Sequence, residues 1–133
     1  MAFVADASVA IAWFVKGQAT DYTNALLRRA ARERVHVPAL WHTEFGNVLL
    51  VLAHRRKLDP ARLAGIFDAV DEIGLLTDRE PAAARELARV ARAYALSAYD
   101  ATYLELARRL GVPLASRDAP LREAAPRAGV AVA

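Results

Sequence analysis

A chain of 133 residues, 56% of them hydrophobic, is long enough for one domain with a genuine core. It contains no Cys, which excludes thiol catalysis, zinc–thiolate sites and a disulfide framework, and suits a reducing cytoplasm. The formal net charge is only +3, yet sixteen of the eighteen basic residues are Arg, whose planar fork matches phosphate oxygens. Met1–Asp6 has no basic segment, so no signal peptide is expected. The longest apolar runs, near Ala7–Val15 and Val48–Ala53, are too short to span a bilayer.

In chain order, Phe3–Ala5 reads as a short buried strand, and Ser8 is placed to cap a helix that runs to about Val15 and stops at Lys16-Gly17. Thr20 to about Arg34 follows the helical period, with Tyr22, Ala25, Leu26 and Ala30 near one face. Val35–Val37 is a short strand closed by Pro38, and Leu40 to about Arg56 is a helix with Phe45, Val48, Leu49 and Leu52 apolar. Asp59-Pro60 opens the next helix, to about Ile73, because Pro suits the first helical position. Leu75–Thr77 reads as a strand, Pro81–Ala95 as a helix, and Ser97 opens a further helix ending at Gly111. Val112–Ala115 is a strand despite Pro113, Pro120 starts a short last helix, and Val130–Val132 forms a last strand. Strands alternating with helices, with no repeat or linker between them, predict an α/β fold. The expected architecture is a three-layer α/β/α sandwich with a short central parallel sheet, built as a single domain over residues 1–133.

Four acidic residues stand out by position. Asp6 follows the first strand, Glu44 lies one turn into the helix after Pro38, Asp100 lies in the opening of the helix after Ser97, and Asp118 follows Leu114-Ala115. In an open parallel sheet the carboxyl ends of the strands share one edge, and sites form there. Carboxylates gathered at such an edge repel one another, and a hard divalent cation with oxygen ligands relieves that repulsion. Each acid also has a plain structural reading. Asp6 suits a turn, Glu44 and Asp100 suit the first turn of a helix, Ser97 with Asp100 resembles a capping box, and Asp118 suits an N-cap. The joint pattern in apolar surroundings favours a site, because an unpartnered carboxylate there is costly.

The remaining chemistry-bearing residues offer less. His36, His42 and His54 form no recognisable pair, no Gly-rich phosphate loop is present, and Asp6-Ala7-Ser8 lacks the second Asp of a phosphatase nucleophile motif. Trp13, Trp41 and Tyr99 can stack on bases, with core packing the plainer reading. Arg28, Arg29, Arg32 and Arg34, then Arg55, Arg56, Lys57 and Arg62, form two clusters able to follow a nucleic-acid backbone or simply to solvate helix faces. Asn47 shares a helix face with Glu44 and is placed either to orient a carboxylate or to be a buried amide.

Asp6-Ala7-Ser8, Pro38 with Glu44-Phe45-Gly46-Asn47-Val48-Leu49, Leu96-Ser97-Ala98-Tyr99-Asp100-Ala101 and Ser116-Arg117-Asp118 form an ordered series. That series resembles the PIN-domain ribonucleases, most closely the VapC-type toxins of bacterial toxin–antitoxin pairs, over nearly the whole chain. The resemblance implies a short parallel sheet between helices and Mg²⁺ or Mn²⁺ held by Asp6, Glu44, Asp100 and Asp118. It implies hydrolysis of RNA there, with Ser116 the hydroxyl residue that accompanies the last acid and Ser8 and Asn47 in support. It also implies a cognate antitoxin, whose tail covers the acidic cleft, and a homodimer. Leu49-Leu50-Val51-Leu52 makes its helix apolar almost all round, so burial on a second side is expected, by a partner helix or within the monomer. The expected function is a metal-dependent endoribonuclease toxin, soluble and cytoplasmic. The competing class is a protein-binding module of the same fold with its acids unused.

Overall fold

The computed structural model describes residues 1–133. Four strands form one parallel sheet in the order β3-β2-β1-β4, where β1 is Ala2–Ala5, β2 Arg34–Val37, β3 Leu76–Thr77 and β4 Leu114–Ala115. Parallel neighbours need long crossovers. Here β1 and β2 are joined through α1 (Ala7–Phe14) and α2 (Asp21–Ala30), β2 and β3 through α3 (Ala39–His54) and α4 (Pro60–Ile73), and β3 and β4 through α5 (Ala84–Tyr94) and α6 (Ala98–Leu110). Helix α7 (Ala119–Arg127) follows β4.

The central strand β1 shows why the sheet has helices on both faces. Side chains alternate along a strand, and Phe3, Val4 and Ala5 are all buried. Phe3 and Ala5 pack with Val9, Leu26, Val35 and Ala115 on one face. Val4 packs with Val37, Leu114, Phe45, Leu104 and Leu121 on the other. A strand apolar at every position is the pattern of a parallel sheet covered twice.

The expected elements are present with shifted ends. The helix expected from Thr20 to Arg34 stops at Ala30, because Arg34 begins β2 beside Ala2. Three residues expected in the opening turn of α5, from Pro81, lie outside it. The last expected strand is reduced to one bridge, Val132 with Leu114. Ser8 does not cap α1. Asp6 does, accepting from the Val9 N–H, and Ser8 spends its proton on Asp6. Helix α4 runs from Pro60 to Ile73 as expected, and Gly74 ends it in the left-handed conformation that L side chains resist. Leu50 and Val51 lie on the outer side of α3, 61% and 39% exposed, so the second side of that helix is uncovered in the monomer. No helix is long and apolar enough to cross a membrane.

Candidate active site at the carboxyl edge of the sheet

Strand register assembles the centre of the site. Ala5 of β1 pairs with Ala115 of β4, so the next residues, Asp6 and Ser116, come level at the carboxyl edge. The Ser116 hydroxyl donates to Asp6 Oδ2 at 2.5 Å, and the Ser8 hydroxyl donates to Oδ1 at 2.6 Å. Each hydroxyl has a single proton, and each also accepts an amide N–H: Ser116 Oγ from Asp118 at 2.9 Å and Ser8 Oγ from Arg117 at 3.1 Å. Both protons are therefore committed to Asp6, which is 6% exposed. Burial pushes the Asp6 carboxyl above its usual range, and the Asp118 charge adds to this. Ser116, Ser8 and the Val9 N–H act in the opposite sense.

Glu44 reaches the same edge from α3. It lies in the second turn of the helix, not the first, so the helix dipole does not explain it. Tyr103 of α6 donates its phenol proton to Glu44 Oε1 at 2.5 Å. Burial raises the Glu44 pKa, the Tyr103 bond lowers it, and the Asp6 charge raises it. Asp100 enters from the start of α6, where Ser97 Oγ accepts its backbone N–H at 3.1 Å. The cap is one-sided: the Asp100 carboxylate makes no return bond to the Ser97 N–H. That carboxyl is raised by burial first, then by the charges of Asp118, Asp6 and Glu44. Asp118 caps α7 through a 3.2 Å bond from the Leu121 N–H to Oδ2.

The fold thus brings Asp6, Glu44, Asp100 and Asp118 within each other's electrostatic field from four separate segments. They do not form a closed cage: no three His, Asp or Glu side chains converge on one point. Such an open set of oxygen donors suits Mg²⁺ or Mn²⁺, which keep several waters and take only one or two carboxylates directly. It does not suit a cation that needs a full protein cage.

Other expected residues separate clearly. Asn47 is exposed on α3 and makes no hydrogen bond to a carboxylate. Trp41 is core, stacked on Phe45 at 4.6 Å, and the Trp13 indole donates to Thr23 O, whereas Tyr99 is 64% exposed beside Asp100. No His stands among the acids: His42 meets Thr77 and His36 lies on β2. Both basic clusters lie away from the acidic edge. Arg28 to Arg34 lead into the start of β2, and Arg29 is committed to Glu33. Arg55 follows Glu44 by eleven residues of α3, ~16 Å along the helix at 1.5 Å per residue. The basic residues at the acidic edge are instead Arg117, exposed and without a carboxylate partner, and Arg122, which donates to Ser116 O at 2.9 Å. Tyr103 was not legible in the sequence, where it reads as one more apolar position among Ala101, Leu104 and Ala107.

Acids collected at the carboxyl edge of a parallel sheet flanked by helices define an α/β protein with an open acidic site. The chain belongs to the PIN-domain family, whose profile matches residues 3–126. Among solved structures it is similar to PAE2754 from Pyrobaculum aerophilum, with a TM-score of 0.69 and 23% identity over 93% of this chain and 87% of that one. It is also similar to FitAcB from Neisseria gonorrhoeae, with a TM-score of 0.67 and 19% identity over 98% of this chain and 95% of that one. At these identities the likeness is one of fold. No curated protein sequence matches the chain.

Proposed function

We propose that this PIN-domain protein is a Mg²⁺- or Mn²⁺-dependent endoribonuclease that acts in the cytoplasm as the VapC-type toxin of a toxin–antitoxin pair. The observation that carries the reading is the set of acids itself. Three carboxyls, Asp6, Glu44 and Asp100, have pKa values raised first by burial and then by neighbouring acids: Asp118 acts on Asp6, Asp6 on Glu44, and Asp118, Asp6 and Glu44 on Asp100. A fold that only needed caps would not place Glu44 and Asp100 there, because neither carboxylate caps a helix. A binding module with unused acids leaves that destabilising charge without purpose.

The bound metal would acidify a water, orient it and neutralise charge on the scissile phosphate. Asp6, Glu44, Asp100 and Asp118 would hold it, some directly and others through its waters. Ser8 and Ser116 fix both Asp6 oxygens, so this carboxylate is oriented before any ligand arrives. Arg117 donates through Nη1 to Ser8 O at 3.4 Å and keeps its other guanidinium N–H groups for a neighbouring phosphate at the same edge. The uncovered Leu50 and Val51 supply apolar surface for the partners of the reading, a cognate antitoxin and a second copy of the chain in a homodimer.

The test is cleavage of RNA with Mn²⁺, with chelator, and with Asp100→Asn. Metal-dependent cleavage lost in the variant supports the nuclease. Cleavage by chelated protein, or undiminished cleavage by the variant, would overturn it. Growth arrest on expression, relieved by co-expressing a small protein encoded beside this one, tests the toxin reading.

A further inference from the structure

We infer that Tyr103 is a positioning residue that holds the Glu44 carboxylate in the one orientation in which it can serve the metal. The inference rests on the metal-nuclease reading above and deepens it.

The last torsion of a Glu side chain is soft and roughly two-fold, so an unheld Glu44 carboxylate would rotate freely. Mg²⁺ demands near-ideal octahedral geometry, which a rotating ligand satisfies poorly. Tyr103 removes that freedom. It is 2% exposed, its ring is packed in the main core, and its phenol proton lies on Glu44 Oε1. A phenol O–H is an ordinary donor at physiological pH, and here its acceptor is the Glu44 carboxylate. Oε1 accepts that one bond and Oε2 accepts none, so the carboxylate keeps lone pairs for a cation or its water.

The placement links two of the four acids. Tyr103 follows Asp100 by three residues on α6, so both lie on neighbouring positions of one helix face. That single helix therefore presents its own carboxylate and orients the one from α3, across 59 residues of sequence. A hydrogen-bonding shell of this kind typically changes metal affinity or activity by ~10–100-fold when removed.

Tyr103→Phe deletes one oxygen and leaves the ring. The experiment measures Mn²⁺ affinity by calorimetry on metal-free protein, and cleavage as a function of Mn²⁺, for the parent, Tyr103→Phe, Glu44→Gln, the double variant of these two, and Asp100→Asn. The expected result is Mn²⁺ affinity ~10–100-fold weaker in Tyr103→Phe with the KM for RNA unchanged. In the Glu44→Gln background, Tyr103→Phe should add little, because the group it orients is already altered. Mn²⁺ affinity unchanged in Tyr103→Phe but weakened in Glu44→Gln would overturn the role of Tyr103 and leave the metal site standing. Equal losses from Tyr103→Phe with and without Glu44 would show that the phenol acts through packing and would overturn it too. Unchanged affinity in Glu44→Gln and in Asp100→Asn would overturn the metal reading along with it.

Discussion

Ser116 and Asp6 stand 110 residues apart in sequence and share a 2.5 Å hydrogen bond, because strand register makes them neighbours at the end of the sheet. A slip of one residue between β1 and β4 would move every side chain of the strand to the other face and break this bond. The fold and the site therefore depend on the same register.

Ser116→Ala should destabilise the metal-free protein by about 1–3 kcal/mol, since the buried Asp6 Oδ2 and the half-buried Asp118 N–H both lose a partner. Ser8→Ala should cost less, because Ser8 is only half-buried and Asp6 Oδ1 keeps the Val9 N–H. Urea unfolding in the presence of chelator measures both. Equal and negligible effects would show that the paired hydroxyls do not hold Asp6.

Asp100→Asn should separate stability from activity. In the folded, metal-free protein the Asp100 carboxyl sits above its usual range, mainly through burial and then through Asp118, Asp6 and Glu44. Its ionisation opposes folding: the penalty begins as pH rises through the unfolded value, ~3.9, and is complete above the raised folded value. The variant should melt with the parent at pH below that unfolded value and above the parent at pH 7, while losing cleavage. Melting curves with chelator across this range check it. A variant less stable at pH 7 would point to a purely structural Asp100.

Asp6→Asn should also lose cleavage but gain less stability than Asp100→Asn. Asn keeps one acceptor oxygen for the α1 cap, yet its NH₂ cannot accept the Ser116 proton. Side-by-side melts of the two variants at pH 7 test the order.

Added Mn²⁺ should raise the melting temperature of the parent more than that of Asp6→Asn or Asp100→Asn, since a ligand stabilises the native state only as far as it binds it. Chelator should reverse the gain. Equal shifts in parent and variants would place the metal elsewhere.

Arg117→Ala should weaken RNA binding and flatten its salt dependence by roughly one unit of slope, for the one phosphate that is no longer neutralised. Arg28→Ala and Arg55→Ala should change that slope less, because their segments lie at the opposite end of the sheet from the acids. Binding isotherms at several salt concentrations, using the Asp100→Asn protein so that RNA stays intact, distinguish these outcomes. A larger effect at Arg28 or Arg55 would mean that the RNA path crosses the far edge.

Local chemistry made much of this molecule readable from the chain alone. Asp59-Pro60 opens α4, and Ser97 and Gly111 bound α6, because caps and left-handed turns depend on a few adjacent residues. The continuous apolar run Phe3-Val4-Ala5 declared a strand covered on both faces, and Asp6 immediately after it falls at the carboxyl edge of the sheet. Ends decided by pairing were not readable: α2 stops at Ala30 because Arg34 is drawn into the sheet beside Ala2, a pairing between distant segments. The same holds for the cap of α1, where Ser8 has the right chemistry but its proton is taken by Asp6. Only the tertiary structure decided that the Arg clusters lie away from the acids, that Arg117 lies at the carboxyl edge beside Ser8, and that Tyr103 is bonded to Glu44 and is not merely core. A sequence records which groups are present, but a hydrogen bond between residues 59 apart on two helices is settled only when those helices pack.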